Sequence, residues 1–380
     1  MAKVTMADVG STQRGTLAGR YMRMFWQPIH LLAGIAPGQA KPLQIMGERY
    51  TLYRGDSGEV HLADERCAHR GTLLHTGWVE GDSIRCRYHG WRYAADGQCV
   101  EQPGERDKPF CETVHIRSWP LRVFHGLVFA YLGEGEAPAF PEFSDVEDPH
   151  AVVECYVYYR RCNYFNAIDN TLDAVHVSFT HKEIFSAIVE VPALKTVDSA
   201  DGVLLYSDRH SGTRANEFLV PNILRTTTPF GQGENKWTDY IVWRVPVDDH
   251  SHLSFSLTFA HVPDEPARQE YARAREKVRA LPVPPVDALA DRVLAGELTL
   301  EAAKASMGEH DPYYDIILED HVMLIGQENV LDRRAERLGR ADAGVIAVRR
   351  RWLADLQRIA DETQVVVPVH TAASRATVGV

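Results

Sequence analysis

The chain has 380 residues, 45% hydrophobic and 24% charged, enough for two cores of ordinary globular composition. A formal net charge of −11 argues against nucleic acid or an anionic membrane surface as the main partner. With no apolar leader and no run of roughly 18 to 20 apolar residues, a cytoplasmic protein is expected, and its six cysteines are thiols or metal ligands rather than a disulfide framework.

In chain order, an N-terminal helical segment leads into a β-rich first third. Residues 43–46 and 49–53 are short apolar or aromatic runs, the turn Gly55-Asp-Ser-Gly58 follows, and 60–63 reads as the next strand. Residues 123–131 form one more β-rich run around Gly126. The Pro-, Gly- and acid-rich stretch 133–143 reads as a linker, which divides the chain into domains 1–142 and 143–380. The second domain opens on a β-type run at 151–159 and a helical segment from Asn163 to Thr180. Leu253-Ser-Phe-Ser-Leu-Thr-Phe259 alternates apolar and polar residues, as a sheet with one buried face does. From about Pro263 the pattern turns helical, over 265–281, 286–307, 313–330 and 342–361.

Two Cys/His pairs carry the first chemistry. Cys67-Ala-His69 and Cys86-Arg-Tyr-His89 lie sixteen residues apart, each in a loop between strand-like runs. Each supplies one thiolate and one imidazole, the donor set of a [2Fe–2S] cluster with two thiolates on one iron and two imidazoles on the other. Structural zinc sites group Cys with Cys and His with His, a poorer match. Gly71, Gly77, Gly81 and Gly90 permit tight loops around a bulky group. The stretch Cys67-Ala-His-Arg-Gly71 through Cys86-Arg-Tyr-His-Gly-Trp91 resembles the Rieske motif of ring-hydroxylating oxygenases. Respiratory Rieske proteins carry an added loop disulfide, whose positions here would be Thr72 and Tyr88. His75 and the cysteines Cys99, Cys111, Cys155 and Cys162 lack ligand spacing and read as structural.

The second constellation is Asp169-Asn-Thr-Leu-Asp173-Ala-Val-His176-Val-Ser-Phe-Thr-His181. Two His and one carboxylate on one face of a non-haem Fe(II) leave the opposite positions for O2 and substrate. His176 and His181 supply the imidazoles, and because an i, i+5 pair diverges by about 140° on a regular helix, the helix should break near 177–180. Asp173 and His176, at i and i+3, share a face, so the Asp173 carboxylate is expected to accept the second N–H of the imidazole. The third ligand must come from Asp311-Pro-Tyr-Tyr-Asp315-Ile-Ile-Leu-Glu319-Asp320, where several acids compete.

This segment resembles the iron-binding helix of the phthalate, vanillate and phenoxybenzoate branch of Rieske oxygenases, with Asp169 where a Glu is usual. The resemblance runs from Trp26 to the last helix and implies an α+β chain: a β-rich Rieske domain joined to a helix-grip (Bet v1/START-like) catalytic domain with an antiparallel sheet. It implies Asp320 as the iron ligand, Glu319 being the alternative, and a head-to-tail homotrimer in which Asp173 receives a hydrogen bond from His89 of a neighbouring copy. It further implies a terminal oxygenase that uses O2 to hydroxylate or O-/N-dealkylate an aromatic acid, aryl ether or N-alkyl aromatic. A cis-dihydroxylating dioxygenase is the alternative. No dinucleotide turn is present, so electrons from NAD(P)H must arrive through a ferredoxin or flavin reductase. A Rieske electron carrier would need the first site alone, and a helix-grip ligand-binding protein would need neither. Arg160, Arg161 and Arg225 are candidates to pair with a substrate carboxylate, although arginines on strands more often face solvent.

Overall fold

The computed structural model describes residues 3–143, 151–184, 190–228, 238–327, 333, 335–363, 365 and 367. The chain forms two compact units: Ser11–Phe140 with Val245–Asp249, and Met1–Gly10 with Pro141–Arg244 and His250–Val380.

In the smaller unit α1 (Leu17–Arg23) precedes β1 (Trp26–Leu31), β2 (Ala40–Ile45), β3 (Glu48–Arg54), β4 (Val60–Asp64), β5 (Trp78–Glu80), β6 (Ser83–Arg85), β7 (Arg92–Tyr93), β8 (Cys99–Glu101), β9 (Ser118–Trp119), β10 (Leu121–Phe124) and β11 (Leu127–Tyr131). They build three antiparallel sheets, ordered β1-β11-β10, β2-β3-β4-β9 and β5-β6-β7-β8. The expected single run at 123–131 is a hairpin, because His125 and Gly126 both take positive φ, 44° and 80°, and reverse the chain between Phe124 and Leu127. A buried core of Tyr53, Leu74, Ile84 and Tyr93 also contains the thiols Cys67 and Cys86.

The larger unit holds β12 (Val152–Arg160), α2 (Tyr164–Thr171), α3 (His176–Phe179), β13 (Ala193–Asp198), β14 (Gly202–Arg209), β15 (Gly212–Leu219), β16 (Ile223–Thr228), β17 (Thr238–Asp248) and β18 (Ser251–Ala260). Helices α4 (Glu265–Arg279), α5 (Val286–Leu294), α6 (Leu300–Ser306), α7 (Tyr313–Gly326) and α8 (Ala343–Ala360) follow. The strands form one sheet, ordered β12-β18-β17-β16-β15-β14-β13, with α8 packed on β13, β14 and α2. Trp352 of α8 is fully buried, and its indole N–H donates to the Pro221 carbonyl at 2.9 Å. This is the expected α+β, helix-grip arrangement.

Three local readings change. The segment 286–307 is two helices, parted where Gly296 takes φ +75°. The helix expected over 313–330 ends at Gly326, and 328–332 lie outside the described residues. The alternation on β18 marks no solvent face: Phe255, Leu257 and Phe259 are buried, and so are Ser254, Ser256 and Thr258. Across the ladder Ser256 opposes Tyr156, Ser254 opposes Tyr158 and His252 opposes Arg160. One sheet face is therefore a buried polar surface.

Candidate metal centres

In the smaller unit two loops built on one plan present the first Cys/His set. In each, the Cys N–H donates to a carbonyl five residues on: Cys67 to Thr72 at 2.9 Å and Cys86 to Trp91 at 2.8 Å. In each, a glycine four residues on, at φ +75°, donates its N–H back to the Cys carbonyl: Gly71 at 2.9 Å and Gly90 at 3.0 Å. The preceding arginine braces each turn, Arg66 donating to the Gly71 carbonyl and Arg85 to that of Gly90, at 2.8 and 2.7 Å. Positive φ is why glycine stands at both fourth positions.

These turns bury the two thiols and leave both imidazoles exposed at the tip. The rings of His69 and His89 lie 4.5 Å apart, and His69 stacks on Trp91 at 4.5 Å and 6°. Tyr93 O–H sits 3.1 Å from Cys67 Sγ. Burial pushes the Cys67 thiol up, against the pull of the Tyr93 hydroxyl. Two buried sulfurs beneath two adjacent exposed imidazoles fit a [2Fe–2S] cluster with mixed ligation, and the six cysteines are free thiols. Trp91 and Tyr93 went unassigned from sequence. Their only signal was the aromatic alternation directly after His89-Gly90.

In the larger unit His176, His181 and Asp320 offer ligand atoms that all lie within 4.8 Å of one another, the one such group among the described residues. His181 Nε2 is 3.1 Å from Asp320 Oδ1, and His176 Nε2 is 4.0 Å from the same oxygen. Adjacent ligands of a first-row ion bound at about 2.1 Å stand about 3 Å apart, so the triad fits iron with a small closure. The helix breaks earlier than expected. It stops at Thr171, and α3 restarts at His176 because Asp173 Oδ1 accepts the N–H groups of Val175 and His176 at 3.1 and 3.2 Å. His181 lies beyond the end of α3, which lets an i, i+5 pair converge.

The imidazole contacts also depart from expectation. His176 Nδ1 meets the main-chain carbonyl of Asp173, while the Asp173 carboxylate stands 4.0 Å away. Glu319 is not a member of the triad. Its Oε2 is 2.7 Å from His181 Nδ1, and its Oε1 accepts from Lys304 Nζ at 2.6 Å. Burial lowers His181, but Asp320 and Glu319 outweigh it and raise the imidazole to about 9. For Asp320 burial acts upward, and His181, Arg160 and His176 together hold the carboxyl far below the usual carboxylate range. Asp169 takes no part in the triad: it is buried, with its two oxygens on Arg349 at 3.0 and 2.7 Å.

Residues 25–120 match the family described as the Rieske [2Fe-2S] domain. The oxygenase subunit of 5,5'-dehydrodivanillate O-demethylase from a Sphingobium species is 26% identical over 366 residues, covering 91% of this chain and 78% of that one. Phenoxybenzoate dioxygenase subunit alpha of Ectopseudomonas oleovorans is 31% identical over 276 residues, covering 65% and 66%. The terminal oxygenase of carbazole 1,9a-dioxygenase from Novosphingobium superposes with a TM-score of 0.65 at 22% identity, over 91% of this chain and 94% of that one. The chain belongs to the Rieske non-haem iron aromatic oxygenases, as a terminal oxygenase subunit with a Rieske cluster and a mononuclear iron.

Proposed function

We propose that Cys67, His69, Cys86 and His89 hold the cluster and that His176, His181 and Asp320 hold the mononuclear iron. When bound, the cluster supplies single electrons and the iron activates O2. The observation that supports the iron assignment is the convergence of two imidazoles and one carboxylate, with both remaining Nδ1 atoms engaged at the Asp173 carbonyl and Glu319. Those contacts accept the Nδ1 protons, which would leave each Nε2 to ligate the iron when it is bound. Removing Asp320 should release iron from this site and leave the visible absorption of the cluster intact. Retention of iron by Asp320→Ala, with loss in Glu319→Ala, would transfer the ligand role to Glu319.

The reaction we propose is hydroxylation or O-/N-dealkylation of an aromatic substrate, supported by the O-demethylase relative. The dioxygenase relatives keep cis-dihydroxylation as the second reading. Formaldehyde against cis-diol, in a substrate panel with a surrogate reductase, separates the two. Electrons from NAD(P)H would come through a ferredoxin or flavin reductase, a reading supported by solved structures in which the carbazole 1,9a-dioxygenase oxygenase is in complex with a ferredoxin. We propose a cytoplasmic location. No described helix is long and apolar enough to cross a membrane. We also propose a homotrimer in which His89 of one copy reaches Asp173 of the next. The Asp173 side chain, 30% exposed, is accessible for that contact.

A further inference from the structure

The smaller unit carries two thiols that the cluster does not use. Cys99 on β8 is buried in the same core as Cys67 and Cys86, and Cys111, half-buried, packs against that core from the turn Cys111–Thr113. The two thiols face each other and interact directly. One amide ties their main chains together: Gln98 Nε2 donates to the carbonyls of Cys99, Cys111 and Val114 at 3.1, 2.7 and 3.1 Å. The N–H groups of Cys99 and Val114 donate to the carbonyls of Val114 and Cys111, at 3.0 and 2.9 Å, and complete the frame. Thiols facing each other on such a frame need little movement to join.

The chain between them covers the second cluster turn. Phe110 N–H donates to Oε1 of the buried Gln102 at 2.7 Å, which closes residues 102–110 into a loop. Pro103 packs on Gly90, where an added Cβ would stand 3.1 Å from its Cγ. The Phe110 ring meets Trp91 edge-on at 5.5 Å, and Trp91 is the ring stacked on His69. A bond between Cys99 and Cys111 would pin this exposed loop at both ends.

We propose that Cys99 and Cys111 are a peroxide-sensitive dithiol whose disulfide staples the loop 102–110 over the cluster turn. This role for the loop rests on Cys67 and Cys86 holding the cluster. Burial, helped by the Cys111 thiol, pushes Cys99 up to about 11, so Cys99 stays protonated and the solvent-reached Cys111 meets the oxidant first. The Cys111 sulfur, its proton lost to solvent, attacks one oxygen of hydrogen peroxide. The O–O bond breaks, the departing hydroxide takes up a proton as water, and Cys111 is left as a sulfenic acid. The Cys99 sulfur then attacks that sulfur, the S–S bond forms, and the expelled hydroxide leaves as water with the Cys99 proton. The two sulfurs lose two electrons and the peroxide gains them. A thiol reductant reverses the step, so in a reducing compartment the bond is transient rather than structural.

The test adds hydrogen peroxide stepwise to the air-free holoprotein while the cluster absorbance is followed. Samples are then denatured in N-ethylmaleimide for mass and peptide mapping. A Cys99–Cys111 cross-link should form before the absorbance falls, with the loss of two alkylation sites, and dithiothreitol should restore both. Cys155 and Cys162, in the larger unit, should stay alkylated. Hydrogen exchange over residues 103–110 should slow in the cross-linked form and recover on reduction. Cys99→Ser and Cys111→Ser should each lack the cross-link and the slowing. If Cys99→Ser does not fold, the half-buried Cys111→Ser decides. Bleaching of the cluster before any cross-link, oxidation of Cys111 with Cys99 left free, or unchanged exchange in the cross-linked form overturns the proposal. Joining of Cys67 to Cys86 at full absorbance is a separate result, and it counts against the cluster assignment.

Discussion

Glu319→Gln isolates the contact behind His181, a proposed iron ligand. The glutamate is buried, with Oε2 2.7 Å from His181 Nδ1 and Oε1 2.6 Å from Lys304 Nζ. Glutamine keeps the shape and can still accept from Nδ1, but it removes the charge that makes the imidazole a stronger donor to metal. Changes of this kind behind a metal-bound histidine typically weaken metal binding by about 10- to 100-fold, or roughly 1.4–2.8 kcal/mol. Glu319→Ala should cost more, because it leaves a buried N–H without its acceptor, adding about 1–3 kcal/mol. Equilibrium competition for iron against a coloured chelator measures both, and the cluster absorbance in the same cuvette reports that the Rieske unit is intact. Wild-type iron affinity in Glu319→Gln would refute the orienting role. Loss as complete as in Asp320→Ala would make Glu319 a ligand.

Lys304→Met leaves Glu319 facing His181 without its ammonium, and the same competition assay should show a smaller loss, up to about tenfold. Arg349→Met leaves the buried Asp169 with Arg333 alone, at 3.0 Å, and denaturant unfolding should register a loss of about 1–3 kcal/mol. Glu48 gives a pH signature. Burial raises its carboxyl, but Arg14 and Arg23 outweigh burial and bring it down to about 2. Its stabilisation is therefore present above the unfolded value and lost as pH falls through about 2. Glu48→Gln should be less stable than wild type at pH 7, by about 1–2 kcal/mol after allowing for solvent screening, and equal to it at the acid end. Asp173→Ala should keep both metals and lose most turnover. Mixed oligomers of Cys67→Ala and His176→Ala chains should recover part of the activity, and verified mixed oligomers that stay inactive would refute the between-copy contact.

What was legible in the sequence depended on how local the chemistry is. Cys67, His69, Cys86 and His89 sit in two short turns whose glycines and spacing are visible in the chain itself. Asp320 needed the resemblance, because proximity to His181 is made by α7 crossing back over residues far away in sequence. The role of Glu319 was hidden for the same reason: its partner Lys304 lies on α6, and neither residue announces a pairing. Arg160 was ambiguous because β12 runs against ordinary patterning. Val157 and Tyr159, at core-like positions, are 37% and 43% exposed, while Glu154 and Arg160 are buried. Only the pairing with β18 reveals which side of this strand faces inward.

The central claim is that one chain carries two metal sites sharing no ligand, with the second built from His176, His181 and Asp320. Iron and acid-labile sulfide, counted per chain in wild type, Asp320→Ala and Cys67→Ala, test it most directly. The account predicts three irons and two sulfides in the wild type, two irons and two sulfides in Asp320→Ala, and one iron without sulfide in Cys67→Ala. Three irons in Asp320→Ala, or loss of the mononuclear iron together with the cluster in Cys67→Ala, would contradict it.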